Sequence, residues 1–234
     1  MTGAPRRGAA FFDVDGTLVA STIVHYYFYF RRRRMSSLVG ALWSVAFHLK
    51  CLYYLVLDRI DRNWFNVAFY RSYRGLVADE LRELAGDCYR NVIAPRLFHE
   101  AAECIDEHRR AGRAIVLVTG SLDFIMAPLA KALSVDHVIA ARLVESGGRF
   151  TGALDGVPIG GEEKARRMRA FAEEHGIDLA QSYAYGDSIW DLPMLKAVGH
   201  PQAVNPDGKL SVAAREKGWS VHRWGVEGST VVAG

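Results

Sequence analysis

Several short apolar runs in this chain end abruptly in carboxylates, hydroxyls or glycines. The three clearest runs with their polar ends are GAAFFDVD (8–15), AIVLVTGS (114–121) and SYAYGDS (182–188). Each run reads as a buried strand bounded by turn residues. A buried strand should not finish on Asp13 and Asp15 without a reason, because unpaired charge near an apolar core is costly. The strand ends are therefore where chemistry is expected.

Helical patterns separate these runs in the second half of the chain, at 122–133, 162–176 and 188–199. Strands that alternate with helices predict a parallel α/β sheet, whose ligands bind beyond the carboxyl ends of the strands. QAVNP (202–206) is a further short strand pattern. VIAARLV and RFTGAL flank the turn ESGG (145–148) and predict a hairpin.

Residues 21–110 are almost free of strand patterns and contain one proline, Pro95, so they predict several helices. The length of 234 residues suits one large domain or one domain with an insertion. Three cysteines without CxxC spacing argue against a disulfide framework or a zinc site and favour a reducing compartment. The N-terminus shows no apolar core of signal-peptide length, so no secretion signal is predicted.

Charge is unevenly placed, although the net charge is only +3. Residues 21–77 hold nine Lys or Arg and two acids, and the aromatic run YYFYF (26–30) is followed by four arginines. One interpretation is contact with an anionic substrate or an anionic membrane surface. The other is that the aromatic side chains pack a helical domain and the arginines are solvated. One basic tract without a binding motif does not predict a nucleic-acid partner.

The segment 38–57 is 20 residues long and is interrupted only by Ser44, His48 and Lys50. Its length and the preceding arginines fit a membrane span, whereas Lys50 near the middle opposes one at a cost of roughly 3 kcal/mol. Contact with a membrane surface and a buried helix in an inserted domain are the alternatives.

The polar strand ends supply groups suited to catalysis and to binding a metal ion. Asp13 can act as a nucleophile, and Asp15 can protonate a leaving group and then activate water. Carboxylates around Asp13, including Asp187 and Asp191, are the hard oxygen ligands that Mg²⁺ prefers.

The second and third parts of the predicted site would bind phosphate. The Thr119 hydroxyl and nearby backbone N–H groups suit phosphate oxygens. Lys164 could neutralise further charge, although Arg166 and Arg167 are alternatives within the same helical pattern.

Four motifs in order resemble the haloacid dehalogenase (HAD) superfamily, subfamily IB, in its phosphoserine-phosphatase-like branch. They are DVDGT (13–17), VTGS (118–121), GGEEK (160–164) and GDSIWDLPML (186–195). The resemblance covers nearly the whole chain. It implies an α/β fold, with a Rossmann-like HAD core and parallel sheet from 1–20 and 96–234, and an inserted α-helical (C1-type) cap at 21–95.

The resemblance also implies roles for individual residues. Asp13 would form an aspartyl-phosphate, and Asp15 would be the general acid and base. Thr119, the Gly120 N–H and Lys164 would bind the transferring phosphoryl group. Asp13, the backbone carbonyl of Asp15 and Asp187 would ligate Mg²⁺, with Asp191 near the metal.

Substrate choice is expected to depend on the cap. Phosphoserine phosphatases have a glutamate nine residues after the nucleophile, where this chain has Thr22, and a neutral hydroxyl does not pair with an ammonium as a carboxylate does. Thr22 and Tyr26 are candidate specificity residues. The apolar, basic cap is similar to that of lipid-phosphate phosphatases of the branch, which keeps phosphatidylglycerophosphate and lysophosphatidate as candidate substrates.

The sequence therefore predicts a Mg²⁺-dependent phosphomonoesterase acting on a small or lipid-like phosphate monoester. It would be cytoplasmic, with peripheral membrane contact as a further expectation. A phosphotransferase of the same fold and a membrane-associated, non-catalytic binding module are the alternatives.

Overall fold

The computed structural model describes residues 8–226, so residues 1–7 and 227–234 of the predicted core lie outside the described part. A six-stranded parallel sheet forms the centre, in the order β3-β2-β1-β6-β7-β8. The strands are β1 Ala9–Phe12, β2 Ala114–Leu122, β3 His137–Ala141, β4 Leu143–Ser146, β5 Arg149–Leu154, β6 Tyr183–Gly186, β7 His200–Val204 and β8 Ser220–His222. The predicted α/β fold with a parallel sheet is confirmed.

β1 is the buried middle strand, and its alternate side chains face two separate apolar layers. Phe12 stacks on Tyr185 of β6 at 4.5 Å between ring centroids, on the face nearer the helical insertion. Phe11 points to the other face, where its ring lies edge-on to Phe171 at 6.3 Å. Burial on both faces explains why the run is continuously apolar instead of alternating.

Helices cover both faces of the sheet, and five of them lie between β1 and β2 in the chain. The helices are α1 Ile23–Arg32, α2 Ser37–Ile60, α3 Arg62–Tyr70, α4 Ala78–Cys88, α5 His99–Arg110, α6 Asp123–Ala132, α7 Glu162–Glu174, α8 Leu192–Leu195 and α9 Gly208–Lys217. Short 3₁₀ and π turns at Arg71–Tyr73, Tyr89–Ile93 and Ala94–Arg96 complete the helical insertion.

Aromatic side chains fill the interior of the insertion. The Tyr27 ring lies 5.6 Å from the Phe47 and Phe69 rings and 4.9 Å from the Tyr73 ring. Much of the YYFYF run therefore packs in the interior of the insertion. The arginines that follow it are partly paired with acids of α4, since Arg33 lies 3.5 Å from Asp87 and Arg34 pairs with Glu80.

The helix α2 packs one narrow face on this aromatic interior, through Gly40, Phe47 and Tyr54. Its other faces are exposed although they are strongly apolar. By length and composition α2 could cross a membrane. It ends where Asp61 caps α3, by accepting hydrogen bonds from the N–H groups of Asn63 at 2.6 Å and Trp64 at 3.1 Å.

The predicted hairpin is shorter than its sequence pattern. Its first part forms β3, the edge strand of the parallel sheet, and only β4 and β5 pair antiparallel. The hairpin adds to the helical insertion, because Gly75 N donates to Phe150 O at 2.8 Å and Phe150 N donates to Leu76 O at 2.9 Å. The short exposed strand β8 is not evident in the sequence pattern.

Candidate active site

The sheet register brings the polar strand ends to one edge. Phe12 pairs with Leu117 of β2 and Tyr185 of β6, and the N–H of Asp13 donates to Tyr185 O at 3.0 Å. The chain then turns at Gly16 with φ of +94°, where an added Cβ would lie 2.2 Å from the Asp187 carboxylate. Both the backbone angle and this close approach require glycine.

Lys164 of α7 joins two buried carboxylates. Its Nζ lies 2.6 Å from Oδ1 of Asp13 and 2.6 Å from Oδ1 of Asp191, and all three side chains are buried. The two alternative cations of this helix, Arg166 and Arg167, pair with Glu163 instead. Of Lys164, Arg166 and Arg167, Lys164 is therefore the one that reaches Asp13.

Burial and the ammonium act in opposite directions on these carboxyls. Burial raises the pKa of Asp13 to about 6, although the adjacent Lys164 lowers it. Burial would also raise the pKa of Asp191, but Lys164 and the Ser188 N–H hold that pKa below its ordinary value. Burial opposes the charge of Lys164, yet Asp13 and Asp191 raise its pKa above the usual range. The lysine thus stays charged and Asp191 ionised.

Carboxylate oxygens of Asp13, Asp187 and Asp191 lie within 4.8 Å of one another. The second oxygen of Asp191 already accepts three contacts at 3.2 Å, from Asp187 N, Ser188 N and the Ser188 hydroxyl. Since its first oxygen contacts Lys164, Asp191 acts as an anchor for the loop. Burial, followed by the charges of Asp191 and Asp13, raises the pKa of Asp187 well above its ordinary value.

This donor set fits Mg²⁺. The remaining oxygens, Asp13 Oδ2 and Asp187 Oδ1, lie 3.2 Å and 3.3 Å from the same Thr17 hydroxyl. Carboxylate oxygens that converge in this way are the hard ligands that suit Mg²⁺.

Asp15 is held by hydroxyl groups from two directions. Tyr26 of α1 donates to its Oδ1 at 2.6 Å, and the Ser121 hydroxyl donates to its Oδ2 at 2.5 Å. The Ser21 hydroxyl lies 2.7 Å from the Tyr26 oxygen and extends this series of hydrogen bonds. Burial raises the pKa of Asp15, while the bonds from Ser121 and Tyr26 lower it. The net effect is a pKa above the ordinary value, so Asp15 holds a proton more readily than a solvated aspartate does.

Thr119 and Gly120 follow the apolar part of β2. Thr119 is fully buried, and its hydroxyl accepts a 3.0 Å hydrogen bond from Ser121 N. Gly120 lines the cavity beside Asp13, and its carbonyl accepts a 2.6 Å hydrogen bond from the Tyr70 hydroxyl of α3. A Cβ on Gly120 would lie 2.9 Å from Ile159 O, so the backbone here closes tightly on the neighbouring loop.

A small cavity of about 30 Å³ contains the side chains of Asp13, Asp15 and Lys164 in its walls. The helix α3 contributes Arg62 and Asn66, one turn apart, on the opposite wall. Sequence analysis did not single out these two residues, nor the bond of Ser121 to Asp15. Their i, i+4 spacing was the available signal, but it does not show which face of α3 meets the core.

The two predicted specificity residues lie in different places. Tyr26 is buried with its hydroxyl on Asp15. Thr22 is exposed at the start of α1, where its N–H donates to Nδ1 of His25 at 3.1 Å. Thr22 lines a second cavity, next to the one that holds Asp13.

The family model for haloacid dehalogenase-like hydrolases matches residues 10–196, which include all of the site residues described above. The chain belongs to this family. A Mycobacterium tuberculosis protein named "Probable phosphatase Rv3661" is 35% identical over 221 residues, which cover 93% of this chain and 76% of that protein. Another protein of this organism, "Phosphoserine phosphatase SerB1", is 32% identical over 219 residues, 91% of this chain and 70% of that protein.

Solved structures agree with this assignment at the level of the fold. A phosphoserine phosphatase solved as a phospho-aspartyl intermediate analogue superposes with a TM-score of 0.68 at 19% identity, covering 93% of each chain. The expected HAD-type phosphatase of the phosphoserine-phosphatase-like branch is confirmed.

Proposed function

We propose that this HAD-type phosphatase hydrolyses a small or lipid-like phosphate monoester through an aspartyl-phosphate on Asp13. The observation that carries the proposal is the arrangement around Asp13. The buried carboxylate of Asp13 lies 2.6 Å from the Lys164 ammonium and lines the same cavity as Asp15. Both carboxylate oxygens of Asp15 accept hydrogen bonds from hydroxyl groups. A module that only binds ligands has no need of a positioned proton donor.

In the first step, a carboxylate oxygen of Asp13 bonds to phosphorus and the bond to the ester oxygen breaks. Asp15 gives its proton to the departing oxygen, because an alkoxide is a poor leaving group. Lys164, the Gly120 N–H and the Thr119 hydroxyl offset the negative charge on the phosphoryl oxygens.

In the second step, water attacks the phosphorus of the aspartyl-phosphate and the bond to the Asp13 oxygen breaks. Asp15, now a carboxylate, accepts the proton of the attacking water. Ser121 and Tyr26 stabilise the carboxylate form by donating to both oxygens. Inorganic phosphate leaves, and both aspartates return to their starting states.

The proposed Mg²⁺ ligands are Asp13, the backbone carbonyl of Asp15 and Asp187, with Asp191 fixing the loop beside them. When bound, the ion offsets charge on the phosphoryl group and on the carboxylates. Without the ion, the Lys164 ammonium already holds the carboxylates of Asp13 and Asp191 in place.

We also propose that residues 21–95 act as a cap over this cavity. Arg62 and Asn66 of α3 line the same cavity as the catalytic carboxylates, where their N–H groups would donate to the phosphoryl and ester oxygens. The cavity is small, so the cap would exclude bulk water during the reaction.

An anionic membrane surface is the proposed partner of the cap. The exposed part of α2 carries large apolar side chains, which are Leu38, Val39, Leu42, Val45, Leu49, Leu52, Leu55, Val56 and Ile60. Exposed Lys50 and Arg59 lie on the same helix. An apolar helical face with cations nearby suits the interface of an anionic bilayer, and a cytoplasmic, peripheral location would follow.

The catalytic proposal is tested by phosphate release from a panel of phosphomonoesters that includes phosphoserine, sugar phosphates, nucleotides and lysophosphatidate. Release is expected with Mg²⁺, is expected to stop with EDTA, and is expected to fall at least 10³-fold in Asp13→Asn. Asp155→Asn, the same substitution at an exposed site, is the matched control. Turnover by folded Asp13→Asn at the wild-type rate would contradict the proposed nucleophile. When glycerol is added to the assay as an acceptor, formation of glycerol phosphate in place of free phosphate would favour the phosphotransferase alternative.

A further inference from the structure

A second cavity of about 240 Å³ lies between α1, α2 and α3, and is called the cap groove here. Six of the residues that line it are apolar or weakly polar: Ile23, Val24, Cys51, Tyr54, Leu55 and Phe65. Its volume is close to the lower end of the range of roughly 300–1,000 Å³ that is typical of small-molecule sites.

The strongly polar residues of the cap groove are engaged with one another. Arg62 pairs with Asp58 at 2.6 Å, and the Thr22 N–H donates to His25 Nδ1 at 3.1 Å. The surface that remains available to a ligand is therefore mainly apolar. An ammonium or carboxylate buried against it would lose hydration without a new partner, which is costly.

The cap groove adjoins the catalytic cavity. Ile23 and Arg62 line both. A molecule whose phosphate lies at Asp13 would therefore have its leaving group directed past Arg62 toward Val24 and Cys51.

Part of the wall of the cap groove lies at the exposed side of α2. Leu55 in its wall is 56% exposed, and neighbouring Leu52 and Val56 are 60% and 56% exposed. An apolar chain could enter here from a surface that is itself apolar.

We propose that the cap groove binds an apolar chain on the leaving group, so that the substrate is an amphiphilic phosphate monoester with one chain. This inference rests on the proposed function and names its substrate class. The phosphate would bind beside Asp13 and Lys164, and methylene groups would lie against Ile23, Val24 and Leu55. Burying each methylene group favours binding by about fourfold.

The test is a series of linear monoalkyl phosphates, from ethyl to octyl, each used below the concentration at which it forms micelles. In wild type, kcat/KM for Mg²⁺-dependent phosphate release is expected to rise with chain length, by at least 30-fold from ethyl to octyl. Val24→Phe and Cys51→Phe, which fill the cap groove, are expected to lower the octyl-to-ethyl ratio below about 3. Val212→Phe, the same change at an exposed position of α9, is expected to keep the wild-type ratio.

Calorimetric binding of the same phosphates to Asp13→Asn separates this inference from the proposed function. Affinity that rises with chain length, without hydrolysis by wild type, would support the cap groove and overturn the phosphatase mechanism. Hydrolysis with equal kcat/KM and equal affinity along the series would overturn the cap groove and leave the mechanism intact. If a Phe variant does not fold, the wild-type series and the binding series decide between the same outcomes.

Discussion

The Tyr26 hydroxyl donates a 2.6 Å hydrogen bond to Oδ1 of Asp15, and so joins the first helix of the insertion to the proposed proton donor. Ser21, in the segment that leads into α1, supports the tyrosine oxygen at 2.7 Å. The position of the helical insertion and the proton affinity of Asp15 are therefore linked through one phenol group.

Tyr26→Phe is expected to raise the pKa of Asp15, because it removes one of two donors that stabilise the carboxylate against burial. Asp15 must be protonated in the first step, so kcat/KM falls above the pKa of Asp15. The alkaline limb of the pH profile is expected to move up by about one pH unit, since a hydrogen bond to a charged group contributes about 1.5 kcal/mol. Tyr29→Phe on the same helix is the control. An unchanged pH profile in Tyr26→Phe would show that the bond does not set the pKa of Asp15.

Sequence analysis located the residues of the sheet edge but not those of the opposite wall. Asp13 and Asp187 follow strands of the parallel sheet, and Thr119 lies in the last part of β2. The register of the sheet brings the carboxyl ends of these strands together. Arg62 and Asn66 come from α3, and their approach depends on how the aromatic interior of the insertion packs. That packing joins residues more than 40 positions apart, such as Tyr27 and Tyr73, and no local pattern shows it.

The predicted hairpin shows a second limit of prediction from sequence. Residues 138–144 form one strand-like pattern, yet the structure divides it between an edge strand of the sheet and a hairpin on the insertion. Periodicity identifies a strand, but the partner of a strand depends on the surrounding fold.

Lys164→Met is expected to destabilise the protein by about 3–5 kcal/mol near pH 8, because it leaves Asp13 and Asp191 buried without their cation. Without the ammonium the pKa of each carboxyl rises, so both carboxyls can protonate in the folded state at lower pH. The loss relative to wild type should therefore be smaller at pH 5. Urea unfolding at both pH values measures it, with Lys131→Met on α6 as the control.

A second substitution checks the cause. Asp191→Asn in the Lys164→Met background removes one of the two carboxylates that are buried without a cation. It is expected to recover part of the stability at pH 8. Equal losses at pH 5 and pH 8, together with no recovery in the double variant, would mean that lost packing rather than charge explains the effect.

Mg²⁺ is expected to stabilise the protein more at pH 7.5 than at pH 5. The folded pKa of Asp13, at about 6, lies above its unfolded value of 3.8. The folded metal-free protein thus binds more protons between about pH 4 and 6, and its unfolding free energy falls as the pH rises through that window. Mg²⁺ binds the ionised carboxylates, so a concentration near 100 times Kd should raise Tm by about 5–10 °C at pH 7.5.

Differential scanning fluorimetry with and without Mg²⁺ makes this measurement. Asp13→Asn and Asp187→Asn are expected to lose most of the Mg²⁺-dependent shift in Tm, and Asp155→Asn is expected to keep it. A shift of equal size at both pH values in wild type would argue that the ion binds away from these carboxylates.

The exposed face of α2 predicts binding to anionic vesicles. Leu42 and Leu49 are 67% and 65% exposed, and both lie outside the cap groove. Transferring one such side chain from water into a bilayer contributes about 1.5–3 kcal/mol, so the double variant Leu42→Glu, Leu49→Glu should reduce partitioning at least 100-fold. Co-sedimentation with vesicles rich in phosphatidylglycerol measures it, and Val212→Glu on α9 is the control.

Salt and lipid charge separate the two contributions to this binding. Exposed Lys50 and Arg59 should make partitioning stronger on anionic than on neutral vesicles and weaker at 0.5 M than at 0.1 M salt, because salt screens exposed charges. Binding that is equal on both vesicle types would leave only the apolar face as its cause. Wild-type protein that stays in the supernatant with both types would contradict the proposed membrane partner.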